Sequence, residues 1–200
     1  MQIDPRALDR RTAYLWLTSS LIPRPIAWIT TTDPSGVLNL APFSFFGGVT
    51  SDPMTVMVSI GRRSDGTHKD TARNFLASGE GVVHIPTHDE AELMVASSAG
   101  FAPDRSEVEA LGLVTAPSVD VAVPRLADAR LALEARSVRH LEMGRGPVDV
   151  FFLEILRIHA ADEIVLDGLP DPARLGAVGR LGGSGYCDTR VPFAVERPAS

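Results

Sequence analysis

The chain has 200 residues, of which 44% are hydrophobic and 22% charged, and its formal net charge is -6. This length and composition predict one globular domain over residues 1–200. The negative charge argues against a general nucleic-acid binder, because affinity for the phosphate backbone depends on summed positive charge. Apolar runs fall short of the roughly 18 residues that span a bilayer, and the first residues lack a secretory pattern. We therefore expect no membrane partner and a cytoplasmic location.

The first elements are short and separated by turns. Residues 6–18 indicate a short helix or a turn at a sheet edge, and two prolines then exclude a continuing helix. The β-branched and aromatic residues of 26–31 predict a strand. Residues 33–36, Asp-Pro-Ser-Gly, suit a type I turn. This turn would join the first strand to residues 37–40 as an antiparallel hairpin.

A bent segment, a strand and a helix follow. Residues 41–48 are apolar but interrupted by proline and glycine, which indicates a bent strand or a loop, and residues 55–60 predict a strand. Residues 69–79 have the pattern of one short helix. We expect Asp70 to cap its start and Gly79 to end it in left-handed geometry.

The middle of the chain predicts a strand and two helical pieces. Residues 81–86 form the strand. Thr87 and Glu90 have the spacing of a capping box, which predicts a helix over about 88–97. A second helical piece covers residues 106–111.

Two long strands dominate the later half. Residues 131–143 and 148–160 flank the glycine-rich segment 144–147, which predicts a hairpin. The apolar phase changes within the first of these strands, which indicates a bulge near Arg136 or Ser137. Six or seven strands with two or three short helices predict a mainly β fold, a small barrel with peripheral α-helices and no parallel sheet.

Several familiar catalytic patterns fail. Residues 182–185, Gly-Gly-Ser-Gly, are followed by Tyr186 where a nucleophile elbow needs glycine. His84 and His88 stand four apart, but Pro86 between them places them on different elements, so no metal site is predicted. No glycine-rich dinucleotide motif follows a strand. We name no catalytic residue.

The segment before the 69–79 helix has the residues of a phosphate site. Lys69, Thr71 and the amides of a helix start could hold a doubly negative phosphate, because the helix dipole and an ammonium act together. Ser59 and Arg62, at the end of the neighbouring strand, could reach the same group. A flavin mononucleotide, FMN, requires such a cradle beside an apolar slot.

Residues 30–46 could supply the slot. Asn39, Ser44 and the backbone of 30–32 could pair with the polar edge of the flavin ring, and Pro42, Phe45 and Phe46 could form its walls. Polar residues at strand ends and phenylalanines in a core would give the same pattern, so the residues alone leave both interpretations open.

Five segments in order resemble a known family. They are Pro23–Trp28, Asn39–Phe46, Lys69–Thr71 with Asn74, Ser97–Ala99 and Arg180–Gly183. Together they are similar to the flavin reductase-like family of FMN-binding split barrels, over roughly residues 12–187. The chain departs from the family pattern at Gly47-Gly48 and at His84, where asparagines are common.

The resemblance implies a Greek-key split β-barrel that forms a homodimer with FMN near the subunit interface. The residues and the resemblance together give this cofactor-binding set: Thr30, Thr31, Thr32, Asn39, Pro42, Ser44, Phe45, Ser59, Arg62, Lys69, Asp70 and Thr71.

The resemblance also implies an oxidoreductase, an NAD(P)H-dependent flavin reductase that passes electrons from the nicotinamide to FMN. The final acceptor would be oxygen, or free flavin for a partner monooxygenase. Two alternatives remain open at this point. One is an electron carrier similar to flavoredoxin, and the other is a flavin-binding module without turnover.

Overall fold

The computed structural model describes residues 1–102, 104–196 and 198. In this part of the chain the strands are β1 (Arg24–Pro25), β2 (Ala27–Thr32), β3 (Leu38–Phe43), β4 (Phe46–Ser51), β5 (Met54–Gly61), β6 (Glu80–His84), β7 (Thr115–Ala116), β8 (Arg125–Leu126), β9 (Leu131–Met143), β10 (Val148–Ala160), β11 (Val165–Leu166), β12 (Leu169–Pro170), β13 (Val178–Arg180) and β14 (Tyr186–Asp188). The helices are α1 (Arg10–Ser20), α2 (Asp70–Ser78), α3 (Ala91–Ala96), α4 (Glu107–Ala110) and α5 (Pro172–Leu175), with 3₁₀ turns at Pro5–Ala7, His88–Glu90 and Asp162–Ile164. None of these helices is both long and apolar enough to cross a membrane.

Seven strands form one antiparallel sheet in the order β3-β2-β6-β9-β10-β5-β4. β2 and β3 pair across the predicted turn, in which the Gly36 amide donates to the Asp33 carbonyl at 3.0 Å. β9 and β10 form the predicted long hairpin. Its register shifts between Ser137 and Arg139, so the bulge lies one residue beyond the predicted place. The mainly β fold with peripheral helices is therefore confirmed.

The sheet curls around one apolar core. The core cluster includes Ile29 of β2, Phe43 of β3, Val58 of β5, Phe151 of β10 and Phe75 of α2. β3 and β5 stand near opposite ends of the strand order, so side chains from both can share a core only if the sheet closes on itself. α2 packs within this closure, and its N-terminus therefore lies close to β3.

The outer face of β2 is also covered. Trp28 packs there with Met94 of α3, Leu126 of β8 and Val178 of β13. Both faces of β2 are therefore buried, which explains why five of its six residues are buried in succession without alternation. This second layer places α3 and β13 beside the open edge of β3.

The ends of α2 confirm one expectation and correct another. α2 ends at Gly79 with φ of 73°, as predicted, but its N-cap is Lys69, which makes no side-chain capping bond. Asp70 lies in the first turn, and its carboxylate pairs with Arg63 and Arg73. The cap prediction was wrong because two guanidinium groups outcompete a backbone amide for the carboxylate.

The helix predicted over 88–97 is shorter than expected. It begins as the 3₁₀ turn His88–Glu90 and becomes α-helical only over Ala91–Ala96. Glu90 does reach back, because its carboxylate accepts from the Thr87 amide and hydroxyl at 2.8 Å each. The capping interaction therefore sets the start of the segment that carries Ser97 and Ser98 toward β3.

Candidate functional site

A cavity of about 270 Å³ lies at the corner between β3 and the start of α2, and we call it the corner cavity. From β3 and α2 it is lined by Asn39, Ala41, Pro42, Phe43, Lys69 and Thr71. The opposite side is formed by residues 97–101, with Glu107, Arg63 and Asp70 at the rim. Five of the predicted cofactor-binding residues therefore meet at one cavity: Asn39, Pro42, Lys69, Asp70 and Thr71.

Lys69 stands at the mouth of this cavity. Its ammonium lies 5.9 Å from the centroid of the Phe43 ring, and it pairs with no carboxylate of the described residues. The amides of the first turn of α2 have no partner inside the helix, and no side chain caps them. Lys69 and these amides therefore present positive charge to the cavity.

Thr71 is held beneath Lys69 by a buried polar network. The Asn39 side-chain amide donates to Thr71 Oγ1 at 2.8 Å and to Thr31 Oγ1 at 3.3 Å, and Asn74 Nδ2 donates to Thr31 Oγ1 at 3.0 Å. All four residues are buried. Because Thr71 Oγ1 accepts from Asn39, its own hydroxyl hydrogen remains available to donate toward the cavity.

The acidic groups at the rim are neutralised or restrained. Asp70 pairs with Arg63 and, at 2.6 Å, with Arg73. Glu107 is buried, and its Oε2 accepts from the Leu40 amide at 2.9 Å. Burial raises the pKa of Glu107 despite this hydrogen bond. Neither acid therefore cancels the positive charge of Lys69.

A second cavity of about 370 Å³ adjoins the first, and we call it the arginine cavity. It shares Pro42, Phe43 and Ser98 with the corner cavity and continues along β3 to the predicted residue Ser44. The Ser44 hydroxyl accepts from Arg24 Nε at 3.3 Å. Phe45 lies outside both cavities and lines a more open hollow with Phe46. The two cavities together form a groove along the free edge of β3.

The three predicted threonines of β2 are buried or partly buried in the sheet and do not reach the cavities. Thr30 donates its hydroxyl to the Pro124 carbonyl at 2.9 Å, and Thr31 belongs to the network below Thr71. Thr32 has a buried hydroxyl with no partner among the described residues. None of the three lines either cavity.

Ser59 and Arg62 are not brought to the corner cavity. The Ser59 amide donates to the Phe45 carbonyl at 2.8 Å, as part of the ladder between β5 and β4. Arg62 instead joins a group that we call the Asp149 cluster, made of Arg62, His68, His140, Glu142 and Asp149. The sequence could not show this, because Asp149 and Arg62 meet only through the pairing of β10 with β5.

Asp149 is fully buried at the centre of its cluster. It accepts from Arg62 at 3.2 and 3.3 Å and contacts ring nitrogens of His68 at 2.9 Å and His140 at 3.0 Å. Burial alone would raise the pKa of Asp149, but the bonds from Arg62, His68 and His140 together hold it below its usual range. Ligand atoms of His68, Glu142 and Asp149 lie close enough for a metal ion, yet the Arg62 guanidinium already contacts both carboxylates.

His84, a departure from the family pattern, is also structural. Nδ1 lies 2.9 Å from the Trp28 carbonyl, and Nε2 accepts from the Leu126 amide at 2.9 Å. Complete burial lowers its pKa to about 4, so the ring is neutral and joins β6, β2 and β8.

Sequence reasoning left out part of the site. Ser98 and Phe101 line the corner cavity, and Arg24 and Arg180 line the arginine cavity. Ser98, Arg24 and Arg180 all lie in segments that carried the family resemblance, which was the available signal. Their approach to β3 depends on the second layer of packing, which single-chain patterns do not show.

Comparisons with known proteins identify the family and the fold. A family model described as "Flavin reductase like domain" matches residues 19–169. The structure of nitrilotriacetate monooxygenase component B from Bacillus cereus is 31% identical, covers 98% of each chain and superposes with a TM-score of 0.93.

Two further solved structures are similar. Pseudomonas fluorescens 2-nitrobenzoate 2-nitroreductase is 29% identical, with 99% of this chain and 96% of that chain covered and a TM-score of 0.85. A Shewanella frigidimarina protein described as a flavin reductase with a split barrel domain is 22% identical, with both chains fully covered and a TM-score of 0.84. The last match concerns the fold alone.

Proposed function

The chain belongs to the flavin reductase-like family and has its FMN-binding split-barrel fold, and from this premise we propose that it is an NAD(P)H-dependent FMN reductase. The observation that carries the proposal is Lys69, which stands at the uncapped start of α2 and opens on a cavity walled by Pro42 and Phe43. A cation, free amides and an apolar slot are the groups that a flavin phosphate and ring require.

The phosphate of FMN would lie against Lys69, the Thr71 hydroxyl and the first amides of α2. Asn39 would act indirectly, because the hydrogen bond from its side-chain amide fixes the orientation of the Thr71 hydroxyl. The pairing of Asp70 with Arg63 and Arg73 keeps its charge from repelling the phosphate. The donor set of the corner cavity therefore fits a dianion.

The flavin ring would lie along the free edge of β3. Pro42 and Phe43 face both cavities and supply apolar contact, and Ser44 is the polar group at the far end. Bound FMN would accept a hydride equivalent and release electrons to an acceptor, chemistry that belongs to the cofactor. The protein's part is to bind, orient and partly shield it, so no acid–base pair is required.

The electron acceptor is proposed from the similar proteins. One is a monooxygenase component and another is a nitroreductase. We propose that the flavin is reduced by NADH or NADPH and then serves either a partner monooxygenase or a small acceptor. An electron carrier reduced by another protein is the alternative that the experiment below separates.

We also propose a homodimer that covers α1. Leu15, Trp16, Leu17, Leu21 and Ile22 are each 46–54% exposed and form an apolar surface. An apolar groove of about 490 Å³ runs beside Trp16 and Leu17. A second copy would bury this surface, and because Leu15 also lines the arginine cavity, the dimer contact would adjoin the site. Sedimentation of Trp16→Glu beside the parent protein tests this, and an unchanged dimer would contradict it.

The main test is anaerobic reduction of the FMN-loaded protein. NADH or NADPH should bleach the visible flavin absorbance within seconds if the protein is a reductase. Lasting colour with both nucleotides, but bleaching by dithionite, would favour the electron carrier or the storage module. A protein that takes up no FMN would contradict all of these functions.

A further inference from the structure

The arginine cavity has an unusual balance of charge. Two guanidinium groups, those of Arg24 and Arg180, line it, and no described residue with a carboxylate does. The corner cavity differs, since its two cations are accompanied by Asp70 and Glu107. Arginine stays charged at any ordinary pH, so the arginine cavity carries positive charge that the described protein groups do not neutralise.

Arg24 is the buried member of the pair. It is only 7% exposed, and its partners are neutral: the carbonyls of Thr18, Leu21 at 2.9 Å and Leu181 at 3.2 Å, and the Ser44 hydroxyl at 3.3 Å. The first two carbonyls are at the end of α1, where a cation is favoured. Together the four partners occupy four of the five N–H donors of Arg24, but they contribute no full negative charge.

Arg180 is half-buried and also lacks an acidic partner among the described residues. Its guanidinium stacks 4.4 Å from the centroid of the Tyr186 ring and donates to the Tyr186 hydroxyl and the Gly183 carbonyl. Stacking on Tyr186 holds the guanidinium plane at the cavity wall. A planar guanidinium fixed in this way is suited to a carboxylate or phosphate.

The backbone pairing sets the two arginines against each other. Arg24 of β1 is the direct partner of Arg180 of β13 in the antiparallel register. Like charges placed opposite each other across two strands are destabilising. The arrangement would be relieved by an anion bound between them.

We propose that the arginine cavity binds the anionic group, a carboxylate or a phosphate, of the second substrate that meets the flavin. This inference rests on the proposed function for the identity of that substrate, because the cavity shares Pro42, Phe43 and Ser98 with the corner cavity. Leu15, Ile26 and Met94 contribute apolar wall, and the remaining lining includes the hydroxyl groups of Tyr14, Thr18, Ser44, Ser98 and Tyr186. The ligand is therefore an anion attached to a body that has both apolar and hydrogen-bonding surface.

Two sources have this chemistry, and calorimetry of the FMN-loaded protein separates them. The probes are sodium benzoate, for a small aromatic carboxylate, and inorganic pyrophosphate, for the linkage of a nicotinamide dinucleotide. We expect one of them to bind to the parent protein and its affinity to fall about tenfold or more in Arg180→Met. Stronger binding of benzoate would indicate a carboxylate substrate, and stronger binding of pyrophosphate would indicate the dinucleotide.

The choice of variants keeps the test interpretable. Arg24→Met removes a residue that ties down the end of α1 and is expected to impair folding, so Arg180 carries the test. Arg139→Met is the matched control, because Arg139 is exposed on β9 and its loss changes the net charge equally. Arg180→Lys, which keeps the charge but loses the planar fork, should recover only part of the affinity.

Three results would overturn the inference. The first is absence of binding by both probes, and the second is equal affinity in Arg180→Met and Arg139→Met. The third is a loss of FMN in Arg180→Met together with competition between FMN and the probe, which would assign the cavity to the cofactor itself. Failure of the parent protein to bind FMN is a separate result that contradicts the proposed function, while probe binding that depends on Arg180 would still support the anion site.

Discussion

The Asp149 cluster and the groove along β3 use charge in opposite ways. In the cluster, buried Asp149 is surrounded by Arg62, His68 and His140, and Arg62 also contacts Glu142. In the groove, by contrast, Lys69, Arg24 and Arg180 pair with no carboxylate of the described residues. Both regions contain several cations in a short stretch of surface, so composition does not distinguish them.

The difference shows which cations the fold uses for itself. A cation paired with a protein carboxylate stabilises or specifies the structure, whereas a cation whose protein partners are all neutral remains available to an anionic ligand. Arg62, seven residues before Lys69 in sequence, therefore pairs with Asp149 of β10, whereas Arg180, more than a hundred residues away, lines the groove. The two regions should therefore respond to substitution in different measurements.

Asp149→Asn should have the largest effect of the substitutions, and the effect should be a loss of folding stability. Removing the central charge leaves Arg62 with only the exposed Glu142 as its anion and takes a charged hydrogen-bond partner from two histidine rings, which costs about 3–5 kcal/mol in the free energy of unfolding. Urea denaturation measures this, with Glu142→Gln as the matched control. Glu142 is 55% exposed, so its loss should cost less than about 1 kcal/mol. If Asp149→Asn unfolded like the parent but lost FMN, the cluster would belong to the site.

His84 should make stability depend on pH by a somewhat smaller amount. Its pKa of about 4 lies below the value of 6.5 in an unfolded chain, so the unfolded state binds the proton first as pH falls. Stability should decline below about pH 6.5 and the loss should be complete below about pH 4, with a total of about 3 kcal/mol. Urea denaturation between these values, compared with His84→Gln, isolates this contribution. Equal slopes for the two proteins would contradict a neutral buried ring.

Lys69→Met tests the groove, where binding should change and stability should not. Lys69 is exposed and has no carboxylate partner in the described chain, so the fold loses little. The phosphate loses a charged hydrogen bond worth about 1.5–3 kcal/mol, and fluorescence titration with FMN reports the weaker affinity. Adding Thr71→Val should weaken it further. Unchanged FMN affinity in the double variant would mean that the FMN phosphate binds at another place in the protein.

The same contrast explains what the sequence could and could not predict. The β2–β3 hairpin, the β9–β10 hairpin and the left-handed end of α2 follow from local patterns, and the structure has them. Asn39, Pro42, Lys69 and Thr71 meet because β3 and α2 pack on one core, and the family resemblance was needed to group them in advance, since Asn39 and Thr71 are 32 residues apart. Arg62 lies in the Asp149 cluster and Arg180 lines the arginine cavity because of contacts between residues 87 and 156 positions apart in sequence, and no local pattern encodes such contacts.

Arg73→Met should produce the smallest change. It tests a cation that pairs with a protein carboxylate but lies next to the groove. Arg73 pairs with Asp70 at 2.6 Å but does not line the corner cavity, so it acts on a phosphate only by offsetting the charge of Asp70. A partly exposed pair of this kind is worth about 0.2–1 kcal/mol, so FMN affinity should fall roughly twofold to fivefold. Asp70→Asn in the same protein removes the charge that Arg73 offsets, and fluorescence titration should then show the affinity restored. If the double variant remained as weak as Arg73→Met, the effect of Arg73 on FMN would not pass through Asp70, and Arg73 would belong with the cations that face the ligand.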